Sequence, residues 1–158
     1  MRNFCVALIV GTFLISCKNT PSTEVANAAP AADTLSRSGC FLHALNKDST
    51  FLQISLQNGK ATGKFYWLPD QKDRANGVLE GTYVGDTIRV NYHYMIEGSI
   101  QDEEKVFVWE RDSISVLYAP LVVVGAKITL QKDKPLQVAI RMGKADCAAL
   151  QIPEFVSK

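Results

Sequence analysis

The sequence predicts an all-β domain, an antiparallel up-and-down meander barrel of about eight strands. Three observations carry that expectation. Apolar and polar residues alternate over short runs with the period of a strand. Asn-Gly, Gly-Asp and Glu-Gly steps break those runs at hairpin spacing. Cys40 and Cys147 stand at the two ends of the patterned region. In a closed meander the first and last strands are neighbours, so a bond between these cysteines would staple the seam. An open sheet would hold them beyond the roughly 7 Å Cα separation that a disulfide tolerates.

Taken in order, Phe51–Gln57 alternates with Leu52, Ile54 and Leu56 on one face, and Asn58-Gly59 turns the chain. The run 61–68 places Gly63, Phe65 and Trp67 opposite Thr62, Lys64 and Tyr66, and Pro69 to Arg74 is a polar loop. A second Asn-Gly, Asn76-Gly77, is expected to open the strand 78–84. Gly85-Asp86 turns into 87–96, where Ile88, Val90, Tyr92, Tyr94 and Ile96 share a face opposite Arg89, Asn91 and His93. Glu97-Gly98-Ser99 ends that strand, and the charged stretch Asp102 to Lys105 reads as an exposed hairpin end leading into 105–110. Strands at 113–118, 121–124, 126–130 and about 136–142 follow, with Gly125 a bend between two of them.

The chain ahead of the domain carries an address. Arg2 supplies a positive start, Phe4 to Ile15 an uncharged apolar run, and Leu14-Ile15-Ser16-Cys17 at its end reads as a lipobox. The run is too short to cross a bilayer, which takes roughly 20 apolar residues. Residues 1–16 are therefore expected to be a signal peptide and Cys17 the lipidated cysteine. A secretory signal cleaved near Ala26-Asn27-Ala28 and a buried N-terminal helix are the competing readings. Lys18 rather than Asp after Cys17 points to the outer membrane, on its periplasmic or outer face. Residues 17–38, rich in Ala, Ser, Thr, Asn and Pro, read as a flexible tether spanning about 25 Å on average. The barrel domain is expected over 39–152 and a short tail over 153–158.

Composition narrows the function classes. The chain has 17 Lys and Arg against 16 Asp and Glu; losing Arg2 with the signal would leave it formally neutral, unlike a nucleic-acid binder. An oxidising envelope compartment favours a Cys40–Cys147 disulfide; two buried thiols or a redox pair are the alternatives, the latter without a Cys-x-x-Cys spacing. His43 and His93 stand alone on their strands, so a metal site would need both gathered with carboxylates such as Glu97 or Glu110. Glu80, Glu97 and Glu110 could pair as acid and base, but solvated faces are the better account of them. No hydrolase, zinc-protease, phosphate-loop or dinucleotide signature occurs. No catalytic residue, cofactor or metal is expected.

The pattern resembles a group of small, uncharacterised lipoproteins of Gram-negative envelopes with a lipocalin-like β-barrel domain. The residues that carry the resemblance are Cys40, Gly59, Gly63, Gly77, Gly81, Gly85-Asp86-Thr87, Tyr92, Glu97-Gly98 and Cys147. It implies a fold and brings no activity.

The aromatic residues Phe65, Trp67, Tyr83, Tyr92, Tyr94 and Trp109 are the candidate lining of a ligand cavity, since a small barrel either fills its interior or leaves room for one small ligand. Plain core is the favoured account of these side chains, with the polar handles of Tyr and Trp keeping the cavity open as a reading. Thr34, in Asp33-Thr34-Leu35, is a candidate O-glycosylation acceptor. The expected function is a lipid-anchored, non-catalytic binding module for a small amphipathic ligand or an envelope partner protein. A structural lipoprotein with a solid barrel and a hydrolase are the other classes carried forward.

Overall fold

The computed structural model describes residues 36–150. The signal peptide, Cys17, Thr34, most of the tether and the C-terminal tail lie outside the described residues. Ten strands follow in chain order: β1 (Arg37–Leu45), β2 (Asp48–Gln57), β3 (Lys60–Leu68), β4 (Ala75–Val84), β5 (Thr87–Ile96), β6 (Ser99–Trp109), β7 (Ser113–Tyr118), β8 (Leu121–Val124), β9 (Lys127–Leu130) and β10 (Gln137–Ala145). The expected barrel is present. Strands β1 to β7 pair successively and antiparallel, and β10 lies between β7 and β1 to close the wall. The first strand starts at Arg37, paired with Leu56, so Arg37 and Ser38 belong to the wall rather than to the tether.

Closure is fixed covalently as well as by hydrogen bonds. Cys40 and Cys147 form a disulfide with a Cα–Cα distance of 5.2 Å, across the β1–β10 seam. A cross-link over a separation of 107 residues constrains the unfolded chain by about 4–5 kcal/mol in the loop-closure model.

Tight turns set the register. Asn58 and Gly59 both have positive φ, as do Glu97 and Gly98, which is the backbone that two-residue hairpin turns require. Asn76-Gly77 behaves differently from expectation. It is no turn: it lies inside β4, with Gly77 opposite Phe65 and Tyr94. A Cβ at Gly77 would run into the carbonyl oxygen of His93, and one at Gly81 into that of Arg89. These glycines let β4 and β5 approach and coil closely, a packing requirement that looks like turn chemistry in the sequence.

The pair β8 and β9 stands outside the eight-stranded wall. After β7 the chain leaves the barrel, turns at Gly125, and returns with β9 parallel to β6 at Asp102 and Glu103. This excursion covers a small second core of Val106, Ala119 and Leu130, backed by Leu117 and Leu136. The main core occupies the barrel interior and includes Phe41, Leu52, Ile54, Leu56, Ile88, Phe107, Ile114 and Met142.

The two barrel ends differ. At the end where β1 begins, the Arg37 guanidinium lies 4.6 Å from the centre of the Trp109 ring, and Trp109 meets Phe41 edge-on. Arg37 also bonds the Gly85 carbonyl and, at 2.8 Å, the Asp86 carboxylate. This end is plugged. The other end is open.

Candidate functional site

Strand β6 marks the boundary between the two ends. Its inward positions run Glu103, Lys105, Phe107 and Trp109. From Phe107 onward they join the solid core; before it they line a cavity. The expected hairpin end at Asp102 to Lys105 is therefore a stretch of barrel wall, fully paired with β5. A strand's period of two separates its charges, sending Glu103 and Lys105 inward and Asp102 and Glu104 to the opposite face, where Glu104 accepts from the Leu130 N–H and borders the cavity under the β8–β9 excursion.

The cavity has a volume of ≈ 320 Å³ and opens at the end away from Trp109. That is the lower end of the roughly 300–1,000 Å³ range of ligand pockets. Phe65, Trp67, Ile96, Val116, Leu121 and Ile140 supply mostly apolar walls. The cavity reaches sideways under the β8–β9 excursion as far as Leu130. β7 pairs with β6 only over Val106–Trp109, so the wall above that level is shared with β9.

Polar groups are gathered on the floor. The Lys105 ammonium donates to the Glu103 carboxylate at 2.7 Å, with side-chain exposures of only 17% and 15%. The same ammonium lies 5.5 Å from the Phe65 ring centre and 5.3 Å from that of Tyr92. The Tyr94 hydroxyl donates to Gln101 Oε1 at 2.7 Å or to Glu103 Oε2 at 3.2 Å. Tyr92 donates to the Phe65 carbonyl at 3.0 Å and stacks on Tyr94 with ring centres 4.3 Å apart. Burial, joined by the nearby charge of Glu103, pushes the Tyr94 phenol up to about 12. Burial also raises the Tyr92 phenol, reinforced by Tyr94 and Glu103. Both phenols are hydrogen-bond donors at neutral pH.

Of the six aromatic residues expected to line a cavity, Phe65, Trp67, Tyr92 and Tyr94 do so. Tyr83 and Trp109 belong to the solid core instead. Their alternation was readable, but the level each reaches along the barrel depends on strand register. Glu103 and Lys105 were missed. Counting back by twos from Phe107 would have found them.

The remaining candidates are dispersed. His43 Nδ1 lies 3.1 Å from the Arg141 carbonyl on the β1–β10 side, whereas His93 Nδ1 lies 3.1 Å from Asp102. Asp102 also accepts from Asn91 at 2.6 Å, and this bond leads the interactions that hold its carboxyl below the usual range. Glu110 accepts from Ser113 and Arg141 near the plugged end. Glu80 lies beside His93 and Asn91. Glu97 sits in the β5–β6 turn, where a hydrogen bond to Asp73 raises its pKa. Among the described residues, no group of three or more His, Cys, Asp or Glu side chains is arranged to hold a metal ion.

No family model, curated protein or solved structure matches the chain.

Proposed function

We propose that this chain is a lipid-anchored envelope lipoprotein whose barrel takes up a small amphipathic ligand through its open end. One observation carries the reading: a Glu103–Lys105 ion pair on the floor of a mostly apolar cavity. A buried ion pair contributes little to stability compared with apolar residues of similar size. A barrel that served only as a solid support would gain by continuing its core upward from Phe107. Apolar walls with a few convergent polar groups are the ordinary composition of a small-molecule site. The lipobox at Cys17 supplies the anchor in this reading.

The chain enters the barrel at the plugged end, at Arg37, so the open end lies opposite the attachment point. Binding there needs no passage through the core. A second reading, docking of an envelope protein, is favoured by the β8 edge, where Leu121, Val123 and Val124 are exposed beside the cavity.

Native mass spectrometry of full-length protein, extracted gently from bacterial envelopes, tests the proposal. The expected result is a lipid increment on the chain together with a small non-covalent mass. Ala139→Phe, which fills the cavity from β10, should lose the non-covalent mass and keep the lipid. A wild-type spectrum without any retained small molecule, and no binding of added amphiphiles, would remove the ligand reading.

A further inference from the structure

The floor of the cavity has unused hydrogen-bonding capacity, most of it at Lys105. A lysine ammonium has three N–H donors. Among the described residues, Lys105 gives one to an oxygen, that of Glu103, and otherwise faces the rings of Phe65 and Tyr92. The Glu103 carboxylate is engaged at Oε1 by Lys105, and the Tyr94 hydroxyl, whose one proton is shared with Gln101, reaches Oε2. Each Glu103 oxygen keeps a lone pair to spare, but the larger unmet capacity is that of Lys105, with two N–H donors given to no oxygen, and it calls for an acceptor on the ligand.

Charge narrows that acceptor further. Lys105 and Glu103 neutralise one another at 2.7 Å, and Glu104, the other charged residue of the lining, is paired with Arg89 at 3.7 Å, so the cavity has no uncancelled positive charge to offer an anion. A ligand carboxylate approaching Lys105 would meet Glu103 as well, in surroundings where like charges are poorly screened. A neutral carbonyl oxygen can take the Lys105 donor without that repulsion. The cavity's ≈ 320 Å³ holds about ten non-hydrogen atoms at the ~30 Å³ that a water molecule takes in the liquid.

We infer that the ligand enters polar end first and presents an uncharged carbonyl, that of an ester or amide on a short apolar chain, to Lys105. The inference rests on the ligand-binding reading above and adds the chemical class. Phe65, Trp67, Ile96 and Ile140 then enclose the chain. Glu103 is the specificity-determining residue, because it cancels the charge that would otherwise select an acid.

Octanamide and octanoate, equal in size and differing in charge, are the probes. Calorimetric titration of the full-length protein at pH 7 should give an affinity for octanamide about tenfold or more above that for octanoate. Glu103→Gln leaves the Lys105 ammonium uncancelled and should reverse the order. Comparing the two probes within each protein removes any general loss of affinity in the variant. If neither probe binds either protein, the ligand reading falls along with this one. If wild-type protein binds octanoate as tightly as octanamide, or the ratio is the same in Glu103→Gln, only the assignment of an uncharged carbonyl is overturned. Should the variant fail to fold, the wild-type ratio decides alone.

Discussion

The plugged and open halves of the barrel are built from the same strands and obey different rules. In the plugged half the inward positions are large, apolar and sealed: Phe41, Phe107, Ile114 and Met142 are fully buried. In the open half the same strands carry Tyr94, Glu103, Lys105 and Trp67, and a third of Trp67 is exposed (37%). The change occurs within one step of two residues on β6, from Phe107 to Lys105. The disulfide and the Arg37–Trp109 stack both belong to the plugged half. These cross-links and sealed side chains gather in one half, which leaves the other able to carry groups that do not maximise stability. Binding sites commonly draw on such lower-stability regions.

The largest expected effect contrasts one aromatic residue from each half. Phe41→Ala removes a fully buried ring in contact with Trp109 and should destabilise the barrel by about 3–5 kcal/mol. Trp67→Ala, at the rim, should cost about 1 kcal/mol or less while weakening retention of a ligand in the cavity. Urea denaturation of both variants, with binding measured alongside, checks the contrast. Equal losses of stability would mean that the open half is as much a structural core as the plugged one.

The floor pair gives a smaller and more discriminating effect. Lys105→Met leaves the Glu103 carboxylate largely buried without its cation. The loss should be about 2–3 kcal/mol, somewhat below the value for a fully buried pair because both groups retain some exposure. Adding Glu103→Leu to make the double variant should restore most of that loss, since the pair is then replaced by apolar side chains. The double variant is expected to fold at least as well as wild type and to lose ligand binding. A double variant that stays as unstable as the single one would make the pair structural and undercut its assignment to a site.

These differences explain which features were legible in the sequence. Closure of the barrel was readable because Cys40 and Cys147 constrain the first and last strands directly. The faces of β2 and β5 were readable because every second residue is apolar from Leu52 to Leu56 and from Ile88 to Ile96. The site was harder to see. Consecutive charges at Asp102–Lys105 look solvated locally, and what turns two of them inward is pairing with β5 over residues distant in sequence. Gly77 likewise looks like a turn residue because its requirement comes from a neighbouring strand, the carbonyl of His93. The β8–β9 excursion follows from β6 exchanging one partner for another along its length, which no local pattern records.

The smallest expected effect uses pH to separate the halves. Burial and the charge of Glu103 raise the folded Tyr94 phenol from its ordinary value of 10.0 to about 12. The folded barrel therefore holds this proton more tightly than the unfolded chain does. The resulting stability is fully present below pH 10 and is lost as pH rises towards 12. Tyr94→Phe removes the titrating hydroxyl and keeps the ring against Tyr92. Its denaturation midpoint should fall less steeply than wild type between pH 10 and 12, with the two curves parallel at neutral pH. Comparing the curves cancels the alkaline titration of groups common to both proteins. Curves that stay parallel through pH 12 would mean that the Tyr94 phenol is not held protonated by the floor. The polar groups of the open half would then be more loosely joined than their 2.7 Å contacts with Gln101 and between Lys105 and Glu103 imply.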